Sequence, residues 1–228
     1  MKASRHGEHL IKLTRRSVFN CYLVREEDGF TLVDTTLPGA AHDILTAADE
    51  AGGVISRILL THAHGDHVGS LAALHDELPD AEVAMPERDA RFLRGDMSLD
   101  PDEPDAKLRG SYPKVDVEPT RLLRPGERVG SLELIPTPGH TPGHASFRDT
   151  RDGTLIAGDA FQTTGGIAVA GKLRPLFPFP ALATWHKPTA LESARTLREL
   201  QPTRLAVGHG RVVEDPVVAM DGAIADAS

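Results

Sequence analysis

The chain has one cysteine, Cys21, in 228 residues. No intramolecular disulfide can form, so a packed core has to hold the fold, and the chain is compatible with a reducing cytosol. Cys21 itself reads as a small, half-buried strand residue. Long apolar runs are missing too: stretches such as "VGSLAALH" are too short and too interrupted to span a membrane. The first residues, "MKASRHGEHLIKLTRRS", are charged throughout and lack the continuous apolar segment of a secretory signal, which predicts a cytoplasmic protein. Basic residues are in deficit, 25 against 33 acidic ones for a net charge of -8, which argues against nucleic acid as a partner. No repeat, low-complexity tract or convincing boundary interrupts the sequence, so residues 1–228 are expected to form one domain.

What is present is the composition of a globular protein, 40% hydrophobic and 25% charged. Residues 18–36 predict an opening hairpin turning at Glu27-Asp28-Gly29, because β-branched and aromatic residues flank an Asp-Gly signal. A helix over "AAHDILTAADEAGG", a strand over "VISRILLTHAH", a helix over "HVGSLAALHDELPD" and a buried strand at "AEVAMPE" follow. From Val115 to Phe161 the pattern changes to short strands between Pro-Gly, Gly-Ser and Asp-Gly turns, mostly antiparallel sheet. Thr189 and Glu192 suggest a capping box behind Pro188 that opens the last helix, which stops before Pro202; "TRLAVGHG" then reads as a final strand tipped by His209. This order predicts a layered α/β (α+β) protein, two sheets with helices outside.

One stretch, "LLTHAHGDHVGS" (residues 59–70), crowds His62, His64, Asp66 and His67 into a strand-to-helix turn. Side chains two apart on extended backbone share a face, so His62 and His64 can grip one ion, and Asp66 and His67, beyond Gly65, a second. Imidazole and carboxylate suit borderline divalent metals. Four ligands do not complete two sites, so more should stand at other strand ends: "PTPGHTPGHAS" supplies His140 and His144, "LIAGDAF" supplies Asp159 and "LAVGHG" supplies His209. Two irregular segments accompany them. Residues 95–119 are acidic and proline-rich and read as a solvated connection before they read as a lid. Residues 163–187 are glycine-rich and then apolar; Leu176, Phe177, Phe179 and Trp185 from this segment, with Phe161 beside Asp159, are the candidates for a substrate pocket. The same segment makes a homodimer contact a further expectation.

"THAHGDH" with "PGHTPGH", "AGDAF" and "VGHG", in this order, resembles the metallo-β-lactamase-fold hydrolase superfamily over residues 61 to 210. The resemblance implies a four-layer αββα sandwich with a dinuclear metal centre at one edge of the sheets. It assigns His62, His64 and His140 to one ion, Asp66, His67 and His209 to the other, and Asp159 to a bridge between them. His140 is the matching position because it follows the first Pro-Gly, and His144 is left behind the ligands. Two divalent ions, zinc first with iron or manganese as alternatives, would share a hydroxide that attacks a small-molecule substrate, with Asp66 as the catalytic group that orients it.

The bridging aspartate is similar to that of the glyoxalase II and lactonase branches, which implies cleavage of an ester, lactone or thioester rather than a β-lactam or a phosphodiester. The chain stops soon after "VGHG", short of the helical domain that helps glyoxalase II bind glutathione, and no tyrosine follows Asp159 as in acyl-homoserine lactonases; Tyr22 and Tyr112 are the only two. The alternative within the same fold is a persulfide dioxygenase with one non-haem iron on two histidines and an aspartate.

Overall fold

In the computed structural model, which describes residues 1–228, alternating side chains along the central strands serve two different cores. The first sheet runs in sequential order through β1 (Lys2–His6), β2 (Leu10–Arg15), β3 (Phe19–Glu26), β4 (Gly29–Val33), β5 (Ile55–Leu59), β6 (Glu82–Pro86) and β7 (Arg121–Leu123). Its pairs are antiparallel as far as β4 and parallel from β4 to β7. The second sheet is built from β8 (Arg128–Val129), β9 (Leu132–Pro136), β10 (Ala145–Asp149), β11 (Thr154–Ile156), β14 (Arg204–Ala206) and β15 (Val213–Glu214), in the order β15-β14-β11-β10-β9-β8. A short ribbon, β12 (Phe161–Gln162) with β13 (Ala168–Val169), stands apart from both.

The helices are α1 (Ala41–Glu50), α2 (Gly65–Val68), α3 (Leu71–Glu77), α4 (Glu87–Leu93), α5 (Phe179–Leu182), α6 (Lys187–Glu199) and α7 (Val217–Ala227). On β3, Cys21 and Leu23 pack outward with residues of α1, α3 and α4, while Tyr22 and Val24 pack inward against Leu134 and Phe147 of the second sheet. On β11, Ile156 joins that inner core and Leu155 a second outer core, with Leu197 of α6 and Met220 of α7. A strand buried on both faces with period two can only lie between two layers. The result is the four-layer αββα sandwich of the metallo-β-lactamase fold. No helix is long and apolar enough to cross a membrane.

The structure corrects several details. A hairpin of β1 and β2 precedes the one expected to open the fold. The helix expected over residues 67–80 is broken into α2 and α3. At the break the Gly69 amide donates to the Thr36 carbonyl (2.9 Å) and the Ser70 amide to Thr35 Oγ1 (3.2 Å), so bonds to the β4–α1 loop displace helical ones. Helix α6 begins at Lys187, not at the proposed Thr189 cap. Thr189 lies inside its first turn, hydrogen-bonded to His186 Nδ1 (2.7 Å), and Pro188 is tolerated there because first-turn amides have no helical partner. Helix α7, behind Pro216, was not anticipated. Cys21 is fully buried rather than half-buried.

Candidate metal centre

The parallel strands β4 and β5 of one sheet, and β11 and β14 of the other, end at the same edge of the sandwich. Each terminates in a polar residue: Asp34 after β4, Thr61 and His62 after β5, Asp159 after β11, His209 after β14. Loops beyond the carboxyl ends of such strands are where α/β folds place ligands. The β9–β10 turn adds His140, and α2 adds Asp66 and His67.

Three triads of ligand atoms lie within 4.8 Å of one another: His62, His64 and His140; His62, His67 and Asp159; Asp66, His67 and His209. Asp159 joins the groups, its Oδ2 lying 3.3 Å from His140 Nε2 and 3.1 Å from His209 Nε2, and its Oδ1 3.3 Å from His67 Nε2. Asp66 Oδ2 is 3.3 Å from His209 Nε2. Space is tight: a Cβ at Gly208 would fall 2.2 Å from Asp159 Oδ1, so the residue before His209 has to be glycine.

The outer hydrogen bonds fix which ring nitrogen faces inward, a tautomer assignment made from the network. Thr61 Oγ1 donates to Asp34 (2.8 Å) and therefore accepts from His62 Nδ1 (2.9 Å), leaving His62 Nε2 free. His67 Nδ1 donates to Asp34 Oδ2 (2.7 Å), His209 Nδ1 to the Val18 carbonyl (3.2 Å) and His64 Nε2 to the Arg109 carbonyl (2.9 Å). Thr184 donates to the Pro180 carbonyl (2.8 Å) and so accepts from His140 Nδ1 (3.2 Å). Each of the five rings thus keeps its other nitrogen facing inward, available as a ligand once that nitrogen is unprotonated. His144 differs: its Nε2 accepts the Asp159 amide (3.0 Å) and its Nδ1 bonds Thr137 Oγ1 (2.8 Å), so both nitrogens are used and the ring positions the Asp159 backbone.

The donor set suits cations. His62 Nε2, His67 Nε2 and Asp159 Oδ1 are buried without any hydrogen-bond partner, a costly arrangement that coordination of a divalent ion relieves. Burial holds His62 and His140 well below the usual histidine range and brings His64 down to about 4, so these imidazoles are neutral. Burial also opposes charge on His67 and His209, but the Asp159 carboxylate, helped by Asp66 and, at His67, Asp34, outweighs it; His67 rises well above its usual range and His209 to about 9. The same attraction, against burial, keeps Asp66 and Asp159 below the carboxylate range.

Three residues escaped the sequence reading. Asp34, at φ +61, accepts the Thr61 amide and hydroxyl and the His67 ring. Its backbone is held in the left-handed region by those bonds, a strain typical of functional sites. Buried Asp89 accepts the Ala63 amide (3.1 Å), the Thr141 hydroxyl (2.8 Å) and the Gly143 amide (2.7 Å), tying the His62–His64 segment to the turn that carries His140. Thr184 supports His140. A carboxylate at a strand end, as in "LVDTT", was a legible signal for Asp34; nothing marked Asp89 or Thr184.

The cleft over these ligands has a volume of about 370 Å³ and is walled by Gly110, Ser111 and the Phe179–Ala183 stretch. Residues 95–119, read first as a connection, in fact pack on the centre through Arg109 and Gly110. Among the five apolar pocket candidates only Phe179 lines the cleft. Phe161 is fully buried with Leu155 and Val169, because β12 turns it into the outer core. Trp185 is buried and donates its indole N–H to the Ala106 carbonyl (2.9 Å). Phe177 packs behind His209, ring centroids 5.1 Å apart, and Leu176 projects into solvent at 82% exposure. Neither tyrosine hydroxyl serves the cleft: that of Tyr22 donates to the Val207 carbonyl, and that of Tyr112 is buried without a partner while the ring meets His64 edge-on, centroids 4.6 Å apart.

A family profile described as the metallo-beta-lactamase superfamily matches residues 16–209. The chain belongs to that superfamily. It is 53% identical over 206 residues to the uncharacterized protein YobT of Bacillus subtilis (strain 168), covering 90% of this chain and 88% of that one. It is 32% identical over 224 residues to the probable metallo-hydrolase YflN of the same organism, covering 90% and 84%. A hydroxyacylglutathione hydrolase of Xanthomonas euvesicatoria pv. vesicatoria (strain 85-10) is 34% identical over 128 residues, which make up 56% of this chain and 41% of that enzyme. Among solved structures, TTHA1623 in a di-iron-bound form superposes with a TM-score of 0.67 at 27% identity, covering 90% of this chain and 94% of that one. This superfamily member therefore combines a metallo-hydrolase fold with a His/Asp cluster suited to divalent ions.

Proposed function

We propose that the protein is a dinuclear metal-dependent hydrolase of an ester, lactone or thioester, related to the branch that uses a bridging aspartate. One observation carries this reading: five imidazoles are locked by outer hydrogen bonds with one nitrogen facing inward, around a carboxylate, Asp159, within 3.3 Å of three of them. His62, His64 and His140 would hold one ion, Asp66, His67 and His209 the other, and Asp159 both. When bound, such a pair supplies a water deprotonated near neutral pH and a Lewis acid for the carbonyl. Zinc is the first expectation; five nitrogens and two carboxylates accept iron or manganese as well.

The chain's own residues set up the attack. Asp66 has the most exposed side chain among the three candidate carboxylate and imidazole ligands of its site, at 29%, and borders the cleft, where a free oxygen can accept a proton from the attacking water. Asp34, through Thr61 and directly, keeps His62 and His67 in the ligating tautomer. Gly110, Ser111 and Pro180 line a cleft of about 370 Å³, a size that suits a small molecule. A persulfide dioxygenase needs two histidines and one aspartate and leaves the remaining inward-facing rings without a purpose.

The test is metal analysis combined with a panel of lactones, aryl esters, thioesters, phosphodiesters, a β-lactam and a persulfide. Two ions per chain with turnover of an acyl substrate support the proposal. One iron per chain with oxygen uptake on the persulfide, or a fully loaded protein that leaves every acyl compound intact, overturns it.

A further inference from the structure

A second depression, of about 640 Å³, opens beside the metal cleft. Asp66, Ser111 and Phe179 line both, so the two are continuous, and the groove starts at the candidate second metal site. Its walls come from four separate parts of the chain: Phe19 at the start of β3, Leu37 and Pro38 of the β4–α1 loop, Val68 of α2, and Val115. No lining residue carries a buried polar atom in want of a partner, and the charged residues beyond Asp66, Lys114 and Asp116, are exposed to solvent. Phe179, at the junction, stands 65% exposed, with Leu176 and Leu182 exposed on the same stretch.

From this continuity we infer that the substrate carries a linear alkyl or acyl chain, which lies in this groove while its scissile carbonyl sits over the metal ligands; the inference rests on the hydrolase reading for the reaction but not for the binding. A groove with apolar walls and few hydrogen-bonding groups discriminates by length and shape, not by polar recognition. It therefore disfavours a peptidic thiol or a nucleotide as the remote part of the substrate, since the polar groups of either would be desolvated without partners. The occupant is joined to the reacting group because the groove meets the metal cleft at Asp66, Ser111 and Phe179.

Ala72, exposed on α3 at the groove wall and away from every candidate ligand, allows a test that leaves the centre intact. For 4-nitrophenyl esters from acetate to decanoate on the metal-loaded protein, kcat/KM should climb about fourfold for each methylene that enters the groove and then level off. Ala72→Phe should bring the plateau forward by several carbons and leave the acetate ester unchanged. Equilibrium binding of decanoate against acetate, measured calorimetrically on metal-free protein, reads the groove without the reaction: decanoate should bind and acetate should not, with Ala72→Phe weakening decanoate at least about tenfold. Rates independent of chain length together with no decanoate binding overturn the groove while leaving the hydrolase standing. Decanoate binding with no ester turned over does the reverse. Self-association that buries Phe19 and is broken by Ala72→Phe, without any effect on decanoate, assigns the groove to a second copy of the chain and also overturns the inference.

Discussion

Removing the carboxylate of Asp89 should separate the two metal sites energetically, although Asp89 touches no candidate ligand. Its Oδ2 accepts the Ala63 amide and the Thr141 hydroxyl, both buried, and its Oδ1 the partly buried Gly143 amide. Ala63 lies between His62 and His64, and Thr141 follows His140, so the bonds that Asp89 makes are bonds between the two backbones that carry the first triad. In Asp89→Ala two buried donors and one partly buried donor lose their acceptor. At about 1–3 kcal/mol for each, partly recovered by water, the loss of stability should be about 4 kcal/mol. Asp89→Asn can keep its oxygen at the Oδ2 position and turn its amide against the Gly143 N–H, stranding one donor, so about 2 kcal/mol is expected. Urea unfolding of the metal-free variants measures this directly. Chelator competition then reads each site: affinity at the first should fall about 10–100-fold, as when an outer partner of a metal ligand is removed. The second, held by Asp34 and Val18, should change little. Stabilities within 0.5 kcal/mol of the parent, or equal weakening at both sites, would refute the argument.

Asp159→Ala should remove most turnover by deleting the oxygen pair that joins the triads, whereas His144→Ala, which loses the acceptor for the Asp159 amide and the bond to Thr137 but no candidate ligand, should cost about 10–100-fold; Asp159→Ala with parental activity contradicts the bridge. Metal uptake should also differ in pH dependence between the sites. Because His67 and His209 are raised, the latter to about 9, their protons must leave before an ion enters, so second-site affinity should rise at least about tenfold per pH unit from 6 towards 9. The neutral His62, His64 and His140 release nothing over that range, and first-site affinity should stay flat. Competition with a chelator at pH 6, 7 and 8 distinguishes the two, and parallel slopes would count against the charge assignment.

The candidate metal ligands, which the fold gathers at one edge, stood out in the sequence because ligation demands residue types that are rare in one place: three histidines and an aspartate in "HAHGDH" have few other uses. The layers were legible for a related reason, since β3 to β6 and β11 alternate between two apolar environments along their length. What failed were features decided by long-range backbone pairing. The apolar run in "LAALHDEL" gave no hint that the Gly69 and Ser70 amides would bond Thr36 and Thr35, some thirty residues earlier in the chain, instead of helical carbonyls. Phe161 and Trp185 looked available for a pocket because aromatic residues near a site read alike in sequence. Only the fold shows that one is part of the outer core and that the other has its indole N–H fixed on Ala106.

The irregular segments carry more of the site than their composition suggests. His62 and His67 are fixed by Asp34 at the end of β4, within the sheet, but His64 is fixed by the Arg109 carbonyl and His140 by Thr184, both from loops. Those loops are also tied to each other, through Trp185 and Ala106, and together they wall the cleft with Gly110, Ser111 and Phe179. One set of loop residues thus settles both the tautomers of two first-site histidines and the shape that a substrate meets. Exchange of these segments for others of different length should therefore change metal affinity at the first site along with substrate preference, because the bonds that hold the rings and the surfaces that hold the substrate belong to the same backbone.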